Sequence, residues 1–577
     1  EEYVTVAGGD FRLRGKKWYP VGVNFWPRYV AGLDTRDYGT GWLTRGYYDP
    51  DEVEDDLARV AALGMNMVAI QLPGVAHIRN VLDFLDRCGR RDIKVFAYLG
   101  AASPLGFDER AVRAIVAAGN LADNTALFAY DTIWEPGNWV FGSTQRQRWD
   151  RDWENWIVER YGSIEAAERD WGREVPRRGE AVAAPSDREL GSDGPWRIMV
   201  AAYRRFMDDR MSRAWNDATR ALRACDPRHL VSFRQGNTLP HDFTLTATVK
   251  HIDFICPEGY SIPPGRDGED AAGFITRYVA FTTGGKPILW AEFGQSVWDR
   301  DAMRPDEAAI ARQAEYHEIF YRTVLAAGAH GTAPWWWPGG YRVDERSDFG
   351  ICNPDGTPRP AALHAAAYAP RLKTPRAART PDTWIVVDRD AHAGGYWRLA
   401  FHEGKAAYAE AAARGLLLGV KTAGTGATSA NAPPLAAGNT PLNGRNPPKY
   451  LNGEFNRVEI QDRSGAWVAV PRGGRIEVAA AKPVALRVSA GNTQEAEWLP
   501  PAEAGARGGV FLAAGHGSEI AVRRPLPART PYLADADFGE FVLAESLAGP
   551  ARVALQLEAE GISRFGEIRE FTLAPMP

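Results

Sequence analysis

The sequence predicts an α/β protein: a (β/α)8 barrel, then a small α/β segment, then a C-terminal β-sandwich. Three observations predict it. Before Leu372, short unbroken apolar runs alternate with amphipathic helical stretches, as parallel strands buried on both faces require. Eight such runs occur, the number that closes a barrel. From Glu454 onward the pattern becomes alternating, with turn residues between short runs, the mark of strands with one solvated face.

In chain order, the first strand is YPVGVNF, Tyr19 to Phe25. DPDEVEDDLARVAALG follows as a helix: Asp49 is a natural N-cap, Pro50 suits the first helical position and Gly64 suits the stop. Val53, Leu57, Val60 and Leu63 share one face of it. MVAIQL is the second strand. A helix around Val81 to Cys88 leads into KVFAYLG, and one near Glu109 to Ala118 leads into ALFAYDTIW. HLVSF, IDFIC, PILWA and GTAPWWW complete the eight. A long excursion follows the fourth strand, helical over Trp149–Tyr161, Ile164–Trp171 and Trp196–Ala224. On a barrel such an excursion leaves from the active face, so it is expected to shape the cleft. No Gly-rich phosphate turn follows the first strand, which disfavours a doubly wound sheet.

KTPRAARTPD reads as a linker, and TWIVVDRD, GKAAYAEAAARG and LLLGVKT as one strand–helix–strand piece. Residues 423–452 are rich in Gly, Ala, Asn and Pro and read as a long loop. The expected domains are therefore a barrel over 1–372, a linker with a small α/β segment over 373–452, and a sandwich-like accessory domain over 453–577.

Composition narrows the function. Lys and Arg total 68 against 73 Asp and Glu, a net charge of −5, which argues against a nucleic-acid partner. At 45% hydrophobic and 24% charged residues the chain has the material for several cores and is not a disordered one. No apolar run is long enough to cross a membrane as a helix. The four cysteines are far apart and the ten histidines scattered, so neither a metal nor another cofactor is expected. There is no P-loop, dinucleotide fingerprint or nucleophile elbow. Sixteen of the 20 tryptophans lie at or before Trp337, which fits either a Trp-rich core or a sugar cleft, since an indole face matches the C–H face of a pyranose. The chain starts at Glu1 without Met or a signal-like segment. A removed leader, hence a secreted or periplasmic origin, and a trimmed start are both compatible with that. Homo-oligomerisation is left open.

Two carboxylates stand where barrel chemistry sits, at the C-terminal ends of strands. Glu135 follows ALFAYDTIW and opens EPGNW; Glu292 follows PILWA and opens EFGQSVW. Either alone would more often be a paired structural carboxylate. Together, on strands four and seven with aromatics beside both, they point to acid/base and nucleophilic work. Glu258 also follows a strand, and a paired structural carboxylate is weighed there against substrate binding, a hydrogen bond to an Arg and a third titrating group in the site. FRQGN after strand five offers Arg234, Gln235 and Asn237 to the cleft. Glu345 and Asp348 read as a solvated charged loop.

On these residues the chain resembles the clan of (β/α)8 retaining glycosidases with an acid/base Glu on strand four and a nucleophile Glu on strand seven. That clan includes the family 5 cellulases and mannanases and the family 42 β-galactosidases. RYGSIEAAERDWG looks like the helical segment after the acid/base strand in family 42, and DFGICNPDGTPRPAA like the segment after strand eight. The resemblance implies Glu135 as acid/base, Glu292 as nucleophile and Tyr260 as a hydrogen-bond partner of the nucleophile. It implies an aromatic floor from one of Trp335, Trp336 and Trp337, with Asn24 and Trp26 as sugar contacts. Two departures stand out. The clan usually has Asn before the acid/base, and here Trp134 stands there. It often has Arg at the end of strand two, and here that stretch offers Gln71. Either Asn138 or Arg234 takes over contacts to the sugar 2-hydroxyl, or the sugar is an unusual one, for example a furanoside. The implied activity is hydrolysis of a β-linked glycoside with retention, exo-acting, on an oligo- or polysaccharide. A carbohydrate-binding protein on a degenerate barrel is the alternative.

Overall fold

The structure, a computed structural model, describes residues 2–32, 39–136, 142–237, 249–391, 395–433, 449–480, 482–516 and 519–576. Contacts group the chain into two compact units. One comprises Glu1–Gly142, Ala214–Ile385 and Gly394–Val420, the other Ser143–Arg213, Val386–Ala393 and Lys421–Pro577. The excursion after the fourth strand thus groups with the C-terminal residues, a partition different from the linear division expected. Polar ties join the two segments: Ser212 donates to Glu454 at 2.6 Å, Asn452 to Asp209 at 2.6 Å, and Arg205 pairs with Asp390 at 2.6 Å.

In the first unit the eight expected strands are present: β1 Gly22–Asn24, β2 Met67–Gln71, β3 Lys94–Tyr98, β4 Leu127–Asp131, β5 Leu230–Ser232, β6 Cys256–Glu258, β7 Leu289–Trp290 and β8 Gly331–Thr332. Strands β1 to β5 pair in parallel, each with the next. After Phe233 the chain resumes as Arg234–Asn237, parallel to β6. Parallel bridges Ile255–Ile288 and Glu258–Glu292 carry the ring to β7, β7 pairs with β8, and Val21–Thr332 returns it to β1. The ring thus closes.

The first barrel helix, Pro50–Ala62, shows why the flanking residues are as they are. The Asp49 side chain accepts the amides of Asp51 and Glu52, and Gly64 at φ 77° takes the left-handed position that ends the helix. Helices Ile78–Arg90, Glu109–Ala118, Gly265–Thr282, Glu307–Ala327 and Pro360–Lys373 continue the alternation. One element the sequence pattern did not mark is an N-terminal antiparallel hairpin, Val4–Ala7 with Asp10–Leu13. Its Val4 and Phe11 join Met67, Phe96, Phe128, Leu230, Phe254 and Leu289 in one buried cluster that fills the barrel interior.

In the second unit, helices Asp150–Tyr161 and Ile164–Trp171 carry RYGSIEAAERDWG. Gly162 and Gly172 take positive φ at the two helix ends, and Ser163 caps the second helix through the Ala166 amide. Trp153 stacks on Trp171 with centroids 5.7 Å apart. The C-terminal strands form a four-stranded and a five-stranded sheet. Pairing is antiparallel except for Arg475–Ala479 beside Ser563–Met576, and both sheets contribute to a single core that includes Ile460, Leu486, Trp498, Leu512, Leu555 and Phe571. The strand–helix–strand piece is present as Thr383–Val387, Glu403–Ala413 and Leu418–Thr422, its helix and most of its strands falling in the first unit. The four cysteines are free. Among the described residues no helix is long and apolar enough to cross a membrane.

Candidate active site

The C-terminal end of the barrel is lined by polar side chains because the strand alternation turns them inward there. On β4, Ala129 faces the barrel core and Tyr130 reaches out to Asp226 at 2.8 Å, so Asp131 faces in. After β5, Phe233 packs on Trp215 and Arg234 turns in. Asp131, Arg234 and Glu258 have no exposed surface, and Glu292 retains 4%.

Arg234 organises this layer. Its Nε donates to Asp131 at 2.8 Å, and its Nη1 donates to Glu292 Oε2 at 2.9 Å and to Asn24 Oδ1 at 2.7 Å. The guanidinium carbon lies 3.7 Å from the Trp134 ring centroid. Flanked by carboxylates, Arg234 is held protonated beyond its ordinary range. The guanidinium that the resemblance places at the end of strand two is here supplied after strand five, and Gln71 at the end of β2 is half-buried beside Gly39.

Glu292 receives a second donor, the Tyr260 hydroxyl, at 2.7 Å on Oε1. Burial raises its carboxyl to about 7. Arg234 and Tyr260 oppose that rise, and the charge of Glu135 adds to it. Burial likewise pushes Asp131 up to about 6 against the pull of Arg234. The Tyr260 hydroxyl is driven well above its usual value by burial and by Glu292.

Glu135 lies beyond the end of β4, partly exposed, with φ at 45°. A non-glycine residue there is held against its backbone preference, as happens at functional positions. Glu258 is fully buried, and no hydrogen-bond donor reaches either of its oxygens. Its backbone bridges to that of Glu292. Burial first, then the charges of Glu292 and Glu135, raise it well above the carboxylate range.

Tryptophan rings pack together at this end of the barrel. Trp26 meets Trp134, Trp335 and Trp336 with centroids 6.5, 5.0 and 5.2 Å apart. Trp336 and Trp337 are fully buried; Trp335 keeps 7% exposure and Trp134 more, so these two present surface. Asn24 presents none. Its amide donates to the carbonyls of Ala291, Ala333 and Pro334, so it braces β1 against β7 and β8 and does not reach toward a sugar. The indole of Trp26 donates to Gly39. Asn138 and the Trp139 beside it lie outside the described residues, as does the side chain of Asn237. Asp348, expected on a solvated loop, is fully buried in a two-pronged pair with Arg359 at 2.9 and 2.7 Å. Glu345 pairs with Arg342 at 3.1 Å.

Asp131 was missed as a site residue. Its signal was available: an acidic residue inside an otherwise apolar strand cannot stay unpaired, so LFAYD calls for a buried cation. Among the described residues no cluster of His, Cys, Asp and Glu is arranged to hold a metal ion.

With this geometry in place, the comparisons bear on the fold. No family model matches the chain, and no curated protein matches it in sequence. Its structure is similar to that of a β-galactosidase from the Antarctic haloarchaeon Halorubrum lacusprofundi, with a TM-score of 0.52, 13% identity, 92% of this chain and 85% of that one covered. Further similar structures are a GH5_18 protein from Streptomyces cattleya, solved with GlcNAc (TM-score 0.45, 14% identity, 70% of this chain and 94% of that one), and the exo-β-1,4-mannosidase Op5Man5 from Opitutaceae bacterium strain TAV5 (0.45, 15%, 72% of each). The chain shares the barrel fold of that β-galactosidase.

Proposed function

We propose that the protein is a retaining glycoside hydrolase that cleaves a β-linked glycoside by double displacement. Glu292 is the nucleophile and Glu135 the acid/base. The observation that carries this is the setting of Glu292 at the end of β7. It is buried, held by Tyr260 on one oxygen and Arg234 on the other, and the charge of Glu135 reaches it from the end of β4. The two donors favour the ionised form of Glu292 against its burial and hold the carboxyl in place for attack on an anomeric carbon. In the first step a Glu292 oxygen bonds to that carbon. The glycosidic bond breaks with its electron pair on the leaving oxygen, which takes a proton from Glu135. In the second step water attacks the same carbon, gives a proton to Glu135 and releases Glu292. Trp134 and Trp335 offer the apolar faces against which a pyranose packs. Gln71, Asn138, Arg234 and Asn237 are the proposed hydroxyl partners; in Arg234 only Nη2 is uncommitted. The enclosing Trp26–Trp134–Trp335 group suits a chain end, hence exo action on an oligo- or polysaccharide.

The test is hydrolysis of a panel of aryl β-glycosides, pyranosides and furanosides, by the wild type and by Glu292→Gln. The proposal expects turnover of at least one sugar, lost in the variant while binding of that sugar persists. Binding without turnover in the wild type would leave a carbohydrate-binding protein in its place.

A further inference from the structure

Double displacement by Glu292 and Glu135 gives no task to Asp131, the fully buried carboxylate that ends β4. Its backbone is fixed on both sides. It pairs in register with Tyr98 of β3 and Ser232 of β5, and its carbonyl accepts the Leu99 amide at 2.9 Å. The next residue, Thr132, donates its amide and its hydroxyl to the Ser232 carbonyl, at 3.0 and 3.1 Å. The Asp131 side chain therefore stands on an anchored stretch, and its Oδ2 accepts Arg234 Nε at 2.8 Å.

Arg234 needs such an anchor. Its Nη1 donates to Asn24 Oδ1 at 2.7 Å, to Glu292 Oε2 at 2.9 Å and, at 3.4 Å, to the Ala291 carbonyl. Its Nη2 has no hydrogen-bond partner among the described residues. A planar guanidinium held at one nitrogen can swing about it; held at two, it is fixed in its plane. Asp131 supplies the second point. The rings of Trp134, 3.7 Å away, and Phe96, 5.5 Å away, pack against the guanidinium but hold none of its nitrogens. Asn24 is itself tied to three carbonyls, so it cannot follow a guanidinium that swings. Charge runs along the same line. Two buried carboxylates, Asp131 and Glu292, draw on one cation, and each lessens what the other receives.

We propose that Asp131 is a positioning residue for the nucleophile: it anchors Arg234 at Nε, and so sets both where Nη1 meets Glu292 and how much of the guanidinium charge Glu292 receives. The inference rests on the glycosidase assignment of Glu292. It places part of the nucleophile's setting on β4, the strand that also leads to Glu135. The other titratable groups about the pair are Tyr98 and Cys256 beside Asp131, both pushed up by burial, and Tyr260, Glu135 and Glu258 beside Glu292. All of these remain in the variants below, so a change at Glu292 is due to Asp131.

The experiment compares Asp131→Ala with Asp131→Asn, using an aryl β-glycoside that the wild type hydrolyses. Alanine removes the anchor, and kcat is expected to fall about 100-fold, the scale of a misplaced reacting group. Asparagine keeps an oxygen for Nε and is expected to recover most of that loss. It lacks the charge, so Arg234 serves Glu292 alone, and the acid limb of kcat/KM is expected to move down by about one pH unit. A merely structural Asp131 would change the yield of folded protein and leave the limb in place. Equal losses in the two variants, or an unmoved limb in Asp131→Asn, would overturn the proposal. If Asp131→Ala does not fold, Asp131→Leu carries the same comparison, since it fills the space and offers no acceptor. Crystal structures of the variants give a readout independent of turnover. Arg234 Nη1 is expected beyond about 3.5 Å from Glu292 Oε2 without the anchor, and within hydrogen-bonding distance in Asp131→Asn. An unmoved guanidinium in Asp131→Ala would overturn the proposal even in an active enzyme. A displaced one would support it even if the glycoside panel is silent and the assignment of Glu292 fails.

Discussion

The two ends of the barrel are built from the same strands and do opposite things. At the N-terminal end, Phe11 of the hairpin meets Phe254 at 5.1 Å and Phe128 at 6.4 Å, and Phe128 stacks on Phe254 at 6.0 Å. At the C-terminal end, the same β4 carries Asp131, and β6, which begins two residues after Phe254, carries Glu258; both are fully buried. Burial stabilises the first end through apolar area removed from water. At the second end burial works against ionisation, so it raises carboxyls instead of hiding them. The barrel's aromatic end supplies the stability against which its reactive end is held.

The comparison can be broken at either end. Glu292→Gln should cut kcat by about four orders of magnitude, roughly 5 kcal/mol of transition-state stabilisation, with the melting temperature held or raised. Steady-state kinetics beside calorimetry would show the split. Phe254→Ala should do the converse: a stability loss of about 3–5 kcal/mol in denaturant unfolding, with kcat per folded molecule nearly unchanged. A large drop in kcat there would mean that the two ends are not separable.

Finer tests use pH. As the proposed nucleophile Glu292 must be ionised, and burial pushes its carboxyl up to about 7, so kcat/KM should fall tenfold per unit below about pH 7. Tyr260 donates to the ionised form and therefore lowers the value. Tyr260→Phe removes that donor and should move the acid limb up by about one unit. A limb that stays in place would remove Tyr260 from the control of Glu292. The smallest effect is on stability. Glu258 in the folded protein holds its proton more tightly than in the unfolded chain. Its favourable contribution is complete below the ordinary carboxylate range and is lost as pH rises toward its folded value. Glu258→Gln should therefore raise the melting temperature by a few degrees at pH 8, and by less as pH falls toward 4.

The strands were legible because each is an apolar run between caps and turns, and Asp49, Pro50 and Gly64 marked a helix to within a residue. The positions of Glu135 and Glu292 followed, since strand ends define a barrel mouth. The hairpin at Val4–Leu13 was not legible, because it is short and its apolar residues matter only once a barrel exists for Phe11 to fill. The roles of Asn24 and Arg234 were not legible either. A polar residue at a strand end reads as a sugar contact until the carbonyls and carboxylates that occupy it are in view. Nor did the linear order of the segments show that the excursion after β4 groups with the C-terminal residues, a matter of contacts such as Ser212 with Glu454 that no local pattern announces.

The central claim is that Glu292 forms the glycosyl bond. The direct measurement is mass spectrometry of the protein after incubation with 2,4-dinitrophenyl 2-deoxy-2-fluoro-β-glycosides, followed by mapping of the labelled peptide. The account predicts a single glycosyl adduct on Glu292, absent from Glu292→Gln. An adduct on Glu258 or Glu135, or an active enzyme whose product is released with inverted configuration, would contradict it.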